Sequence, residues 1–444
     1  MKPTALLFFL MLVIGSSSYA QNDAPADLLL SGPMVGYTEM REALLWVQTN
    51  GPAQVYFEYS TGQGAKYRFR TPTYQTSAAE AYTARLIADQ VKPGETYVYD
   101  LFINGLKVEL PYATSFQTPP LWQFRSDPPE MKIALGSCVF INDEPFDRPG
   151  DAYGGAYRIF ESIQRQKPQL MLWLGDNTYL READWYSRTG IIHRYTHTRN
   201  VDEMQALLAS TSNYAIWDDH DYGPNNSDHT FRDKMATLRA FQLFWGNPTY
   251  GLEDNGGITS SFEWGDAQFF LLDNRYFRSP NNKKTGTRTI LGERQLEWLL
   301  DALVSSTATF KFVCVGGQVV SSAALYENHA NIAPEERERI LHTIAEEGVK
   351  NVVFLTGDRH HSELSVYEKF GIKIYDFTVS PLTSGAYDAS KEANTLRVEG
   401  SHVGERNFGT IEIEGERLNR SLSFRLFDVD GKELWSEKIQ ADQK

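Results

Sequence analysis

The run Gln169-Leu170-Met171-Leu172-Trp173-Leu174 ends abruptly in Gly175-Asp176-Asn177-Thr178-Tyr179. An apolar run this short, without polar alternation, reads as a strand covered on both faces. The polar residues that follow then lie at the strand's carboxyl end, where loops of α/β sheets converge on a crevice. The arrangement recurs outward in both directions. Lys132-Ile133-Ala134-Leu135 precedes Gly136-Ser137-Cys138, and Asn213-Tyr214-Ala215-Ile216-Trp217 precedes Asp218-Asp219-His220-Asp221. Asn351-Val352-Val353-Phe354-Leu355 precedes Thr356-Gly357-Asp358-Arg359-His360-His361. Phe269-Phe270-Leu271-Leu272 and Phe310-Lys311-Phe312-Val313-Cys314-Val315 add two more buried strands. Helical stretches at 155–165, 201–209 and 334–347 lie between them, so residues 130–441 read as one α/β domain. Its tail, from 408 to 440, returns to alternating strands with a hairpin turn at Asp428-Val429-Asp430-Gly431.

Upstream the pattern differs. Ala43–Thr49, Ala53–Tyr59 and Thr96–Ile103 read as short strands separated by Gly-rich turns, which predicts a small β-sandwich of fibronectin type III kind over 27–118. Its aromatic residues are core and cross-strand partners, and nothing in it has a catalytic pattern. Pro119-Pro120 and Arg125–Pro129 form a stiff linker. A chain of 444 residues has room for such a division.

Lys2, the apolar run from Ala5 to Gly15 and the small residues ending at Ala20 predict a signal peptide over 1–20. The run is too short to span a bilayer, for which about 20 residues are needed. It carries no twin arginine and no lipobox cysteine, so Sec-type export to the periplasm or exterior is expected, with no transmembrane segment. A net charge of −14 excludes nucleic acid as a stable partner, since such partners are held by basic surfaces. The two cysteines, Cys138 and Cys314, permit a disulfide. Cys314 sits inside an apolar run and reads as a buried thiol, whereas Cys138 stands at a strand end.

A single Gly-Asp turn after a strand is ordinary. Four strand ends that together present a thiol, carboxylates, a phenol and imidazoles are not, because burying them without counter-charge costs several kcal/mol. A metal cluster removes that cost. The donor mixture suits Fe3+ or Zn2+ at one position and an oxygen-preferring Ca2+, Mg2+ or Mn2+ at another.

These blocks resemble the alkaline phosphatase D (PhoD-like) branch of the calcineurin-like metallophosphoesterases. The resemblance runs from Met131 to about Ala386 and includes Leu272-Asp273-Asn274-Arg275 and Gly357–Leu364. It implies a sandwich of mixed sheets flanked by helices, and hydrolysis of phosphate esters by metal-activated water. By the resemblance, Asp176 bridges two metals, while Tyr179, Cys138 and His360 hold the iron-type position. Asp219 and Asp358 then serve the harder position. His220 stabilises the phosphoryl group or protonates the leaving oxygen, a task suited to an imidazole. Arg275 is a candidate phosphate contact. His361 is expected behind the ligands. The sequence departs from the calcineurin-like pattern where another His ligand is usual, since Val315-Gly316-Gly317-Gln318 offers only Gln318. Ser137 lacks the flanking glycine of a nucleophile elbow, so a covalent serine route is not expected. The expected substrate is a small-molecule or lipid phosphate ester. The competing readings are a phospholipase D-like phosphodiesterase and an inactive surface-binding protein.

Overall fold

The computed structural model describes residues 25–62, 66–253 and 256–442. The expected signal peptide lies outside the described residues. Two six-stranded sheets form the body of the 130–441 region. The first runs Ser212–Ile216, Leu170–Leu174, Met131–Gly136, Asn407–Glu414, Ser421–Asp428 and Glu433–Gln440. Its first three strands are parallel and the rest antiparallel. The second runs Ser260–Trp264, Ala267–Leu271, Phe310–Val315, Val352–Thr356, Ile372–Thr378 and Glu363–Lys369. Four parallel strands are flanked there by an antiparallel strand at each edge.

The continuous apolar runs have a simple cause in this arrangement. Successive strand residues point to opposite faces, and both faces of the second sheet are covered. Phe269, Phe312, Leu355 and Phe377 belong to the core shared with the first sheet. Phe270, Val313, Phe354 and Ile374, on the opposite faces of the same strands, belong to a separate core under helices Glu293–Ser305 and Pro334–Glu346. Each such side chain contributes about 1.5–3 kcal/mol by burial. Cys314 lies within the shared core and is free, as is Cys138, so no disulfide joins them.

The N-terminal region is a sandwich of two sheets. Leu29–Thr38, Ala43–Thr49 and Thr83–Ala88 form one, and a second is built around Gln54–Ser60 and Thr96–Ile103. Val35, Leu45 and Val47 face the core between them. Their neighbours Met34, Leu44 and Trp46 face the other way, into the core of the large α/β body. Strand Ala43–Thr49 is therefore buried at every position. The Trp46 indole N–H donates to the Leu243 carbonyl at 2.7 Å. Gly36 and Gly246 meet back to back, and a Cβ on Gly36 would lie 2.9 Å from the Gly246 oxygen. Among the described residues no helix is long and apolar enough to cross a membrane.

The carboxyl ends of the parallel strands in both sheets open on the same edge. A Cβ on Gly357, after the second-sheet strand Val352–Thr356, would lie 2.7 Å from Ser137 and 2.8 Å from the Leu174 carbonyl of the first sheet. Loops from the two sheets are thereby in contact where the polar blocks occur.

Candidate metal centre

Four of the expected ligands stand where their strands have just ended, and their backbones share one property. Cys138, Asp176, Asp358 and His360 have φ of +62°, +52°, +67° and +55°. Non-glycine residues rarely occupy this left-handed region, which costs of order 1–3 kcal/mol and persists where the surroundings enforce it. The strain turns each side chain back over the sheet ends rather than along a new helix or strand.

Asp176 is the meeting point. Cys138, Asp176 and His360 form one group whose ligand atoms all lie within 4.8 Å of one another, and Asp176, Asp219 and His220 form a second. Asp176 Oδ2 is 3.7 Å from the Cys138 sulfur and accepts the Tyr179 hydroxyl at 3.2 Å. Its Oδ1 accepts the His220 backbone N–H at 3.2 Å. The Tyr179 phenol also lies 3.4 Å from His360 Nε2, and its ring stacks on His220 with centroids 4.2 Å apart. His360 Nδ1 donates to the Gly385 carbonyl at 2.6 Å, which leaves the Nε2 lone pair turned toward Tyr179. Ser380 Oγ donates to the Cys138 sulfur at 3.2 Å.

Residues following strands of both sheets form a buried ionic frame. Asp218 accepts from Asn274 Nδ2 at 2.8 Å and from Arg275 Nε. Arg275 reaches on to Glu327 at 2.8 Å, and Arg278 meets the same carboxylate at 3.0 Å. The side chain of Arg275, the candidate phosphate contact, is 1% exposed, with its donors on Asp218, Glu327 and the Ser227 carbonyl. Asp219 Oδ2 accepts the Asn226 N–H at 2.7 Å. Asp218 Oδ2, Asp219 Oδ1 and Asn274 Oδ1 are buried without a hydrogen-bond partner among the described residues. A side chain at Gly316 would come within 2.4 Å of Asp218 Oδ2, so this glycine keeps the frame open.

The electrostatics identify what such a site requires. Burial, then Asp219 and Cys138, push the Asp176 carboxyl well above the carboxylate range. Burial pushes the Cys138 thiol up to about 12 and raises the Tyr179 phenol well above its ordinary value. Asp358 is pushed up to about 7 by burial and by Asp218, Asp219 and Glu327. Burial would raise Asp219 as well, but His220 and Arg275 hold it below the usual range. Burial lowers the pKa of both His220 and His360. Anionic donors this crowded favour their protonated forms unless a cation joins them. Hard oxygen atoms left unpartnered on the Asp219 side, and a thiol, phenol and imidazole on the other, fit two cations of different character.

Asp358 stands in neither close group, although it faces Asp218, Asp219 and Glu327. Gln318 lies behind the site, donating to Glu363 at 2.8 Å and Thr378 at 3.0 Å. His361 is fully buried beside Glu363, at 3.5 Å. Ser137 donates its hydroxyl to the Val379 carbonyl at 2.9 Å. Sequence reasoning did not find Glu327 or the orphaned oxygen of Asn274. Glu327 comes from an irregular loop with no strand-end block, and its only signal is the polar cluster Glu327-Asn328-His329.

Two mixed sheets face to face, flanked by helices and with ligand-bearing loops at one shared edge, define the calcineurin-like metallophosphoesterase class. A purple acid phosphatase from yellow lupin (Lupinus luteus) seeds has this fold, with a TM-score of 0.68 at 12% identity over 93% of this chain and 75% of that one. A structure of PhoD matches with a TM-score of 0.78 at 19% identity, covering 96% of this chain and 92% of that one. Residues 137–419 match the model of the PhoD-like phosphatases, and the chain belongs to that family. Alkaline phosphatase D of Bacillus subtilis (strain 168) is 24% identical over 396 residues, 75% of this chain. That match spans 64% of the relative, less than two thirds of its length. Residues 26–121 match a domain family of unknown function, DUF7800.

Proposed function

We propose that the protein is an exported metal-dependent phosphoesterase that hydrolyses phosphate monoesters or diesters by attack of activated water. The observation that carries this reading is the position of Asp176, one carboxylate common to two donor groups of different chemistry. Cys138, Tyr179 and His360 would hold Fe3+ or Zn2+ with Asp176, and Asp219 and Asp358 would hold Ca2+, Mg2+ or Mn2+ on its other side. Bound there, the cations supply positive charge for the phosphate oxygens and lower the pKa of water.

The chain's own residues do the rest. The His220 imidazole, fixed against Tyr179, donates a hydrogen bond to a phosphoryl oxygen, or, when protonated to the imidazolium, a proton to the departing one. Gly385 fixes the His360 tautomer so that Nε2 is available. Arg275 positions Asp218 and neutralises the acidic frame rather than touching substrate. The wall of core around these groups excludes bulk water and so strengthens each charge interaction. Residues 27–118 act as a bracing domain on the catalytic region of 130–441, and residues 1–20 direct export.

Asp176→Asn tests the reading. The amide keeps the volume and can still accept from His220 N–H, but it cannot bridge cations as an anion. Loss of outer ligand contacts alone costs about 10–100-fold, so hydrolysis of p-nitrophenyl phosphate or its bis ester is expected to fall by at least about a hundredfold. Full activity in this variant contradicts the proposal. Phosphatidylcholine assayed in parallel separates a lipid-directed phosphodiesterase from a small-molecule enzyme.

A further inference from the structure

Three exposed tyrosines line one side of the metal centre, and internal packing does not account for them. Tyr153, Tyr326 and Tyr387 are 44%, 59% and 44% exposed. They arrive from three separate loops; Tyr153 and Tyr387 are tied to His360, and Tyr326 packs on Tyr387. The Tyr153 hydroxyl lies 3.1 Å from His360 Nδ1, and the Tyr387 N–H donates to the His360 carbonyl at 2.8 Å. The Tyr326 ring meets Tyr387 edge to face at 6.5 Å, and the Arg359 guanidinium stands 4.7 Å from its centre. Exposed apolar surface gathered into one place marks a binding position.

Backbone conformation and charge are independent observations that point the same way. Tyr326 has a φ of +49°, and its carbonyl is pinned by the Asn331 amide. The strained backbone delivers a ring that stays 59% exposed despite its contacts with Tyr387 and Arg359, and such strain collects at ligand sites. Arg359 is neutralised by Glu392, at 2.7 and 2.9 Å, so the guanidinium beside the Tyr326 ring is not a free charge. Tyrosine faces and edges prefer flat rings at offset or perpendicular geometry.

Resting on the phosphoester reading above, we propose that this tyrosine wall is the subsite for the organic group of the ester, and that it takes a planar aromatic group. The phosphate then sits over Asp176 while the ring lies against Tyr326 and Tyr387.

The test uses phenylphosphonate and methylphosphonate, whose P–C bonds are not ester bonds, so binding to the metal-loaded full chain is read without turnover. Phenylphosphonate is expected to bind about tenfold more tightly than methylphosphonate, equivalent to about 1.4 kcal/mol. The ratio is expected to approach one in Tyr326→Ala/Tyr387→Ala and to persist in Tyr326→Phe/Tyr387→Phe. Should the double alanine variant not fold, Tyr326→Ala alone is expected to lower the ratio about threefold. A wild-type ratio near one, absence of phenylphosphonate binding, or a ratio unchanged by the alanine substitutions overturns the subsite. Turnover of phosphate esters with no such ratio sinks the subsite alone. A ratio of ten with no ester turnover sinks the hydrolase reading and leaves the aromatic site standing.

Discussion

In the metal-free protein, Asp358→Asn is expected to stabilise the fold, and by more as the pH rises. Burial, followed by the charges of Asp218, Asp219 and Glu327, pushes this carboxyl up from 3.8 to about 7. Between those values the unfolded chain has released a proton that the folded chain still binds. Stability therefore falls as pH rises through this window, and the loss levels off above about 7. The shift is roughly three pKa units, and at about 1.4 kcal/mol per unit the ceiling is about 4 kcal/mol. Because neighbouring carboxylates titrate together, the expected widening between pH 5 and 8 is smaller, about 2 kcal/mol. Asparagine has nearly the same volume and tolerates the φ of +67° at this position, so charge is removed without new strain. The assay is urea unfolding of wild type and variant in excess chelator at the two pH values. The account requires the variant to be the more stable at pH 8 and the gap to be smaller at pH 5. A constant gap, or a less stable variant at pH 8, refutes the argument that these carboxylates repel one another without a cation. Adding back divalent cation is expected to stabilise the wild type more than the variant.

Glu363 obeys the opposite sign. Burial opposes its ionisation, but His361 and Arg397 prevail and hold it at about 2, below the ordinary 4.5. Its stabilisation is present above about 4.5 and is lost as pH falls through about 2, so Glu363→Gln is expected to cost about 3 kcal/mol at pH 7 and less at pH 3, measured by urea unfolding. Trp46→Ala removes a fully buried indole that packs on Phe244 and bonds Leu243. It is expected to cost about 3–5 kcal/mol and to shift one shared unfolding transition in calorimetry. A separate early transition with the remainder unchanged would show that the N-terminal sandwich is not a brace.

The parts of this protein that were legible in its sequence are those dictated by local chemistry. Runs such as Leu170–Leu174 announce a strand covered on both faces, and the residues after it announce the site, because a chain leaving a buried strand must turn at the sheet edge. The pairing of strands into two sheets was not written locally. Phe269 and Phe270 look alike in sequence, yet one faces the partner sheet and the other a helix layer. Local chemistry does not separate Asp218 from Asp219; the family resemblance alone singled out Asp219. They are adjacent carboxylates, and only the short helix Asp219–Tyr222 and the approach of Arg275 decide that one joins the ionic frame and the other the close donor group. In sequence, Arg275 is a candidate phosphate contact as a fork-shaped donor, and nothing in its motif signals that Glu327, more than fifty residues away, meets its guanidinium at 2.8 Å. The double burial of Ala43–Thr49 was hidden for a similar reason: the surface that covers Trp46 belongs to Leu243 and Phe244, distant in the chain.

Anomalous diffraction from crystals of the metal-loaded protein addresses the shared carboxylate itself. The account requires a scatterer coordinated by Asp176 with the Cys138 sulfur at about 2.3 Å, as transition-metal thiolates have, and a second on the Asp219 side of the same carboxylate. Density without a scatterer bonded to Asp176, in crystals whose dissolved protein is active, would contradict it.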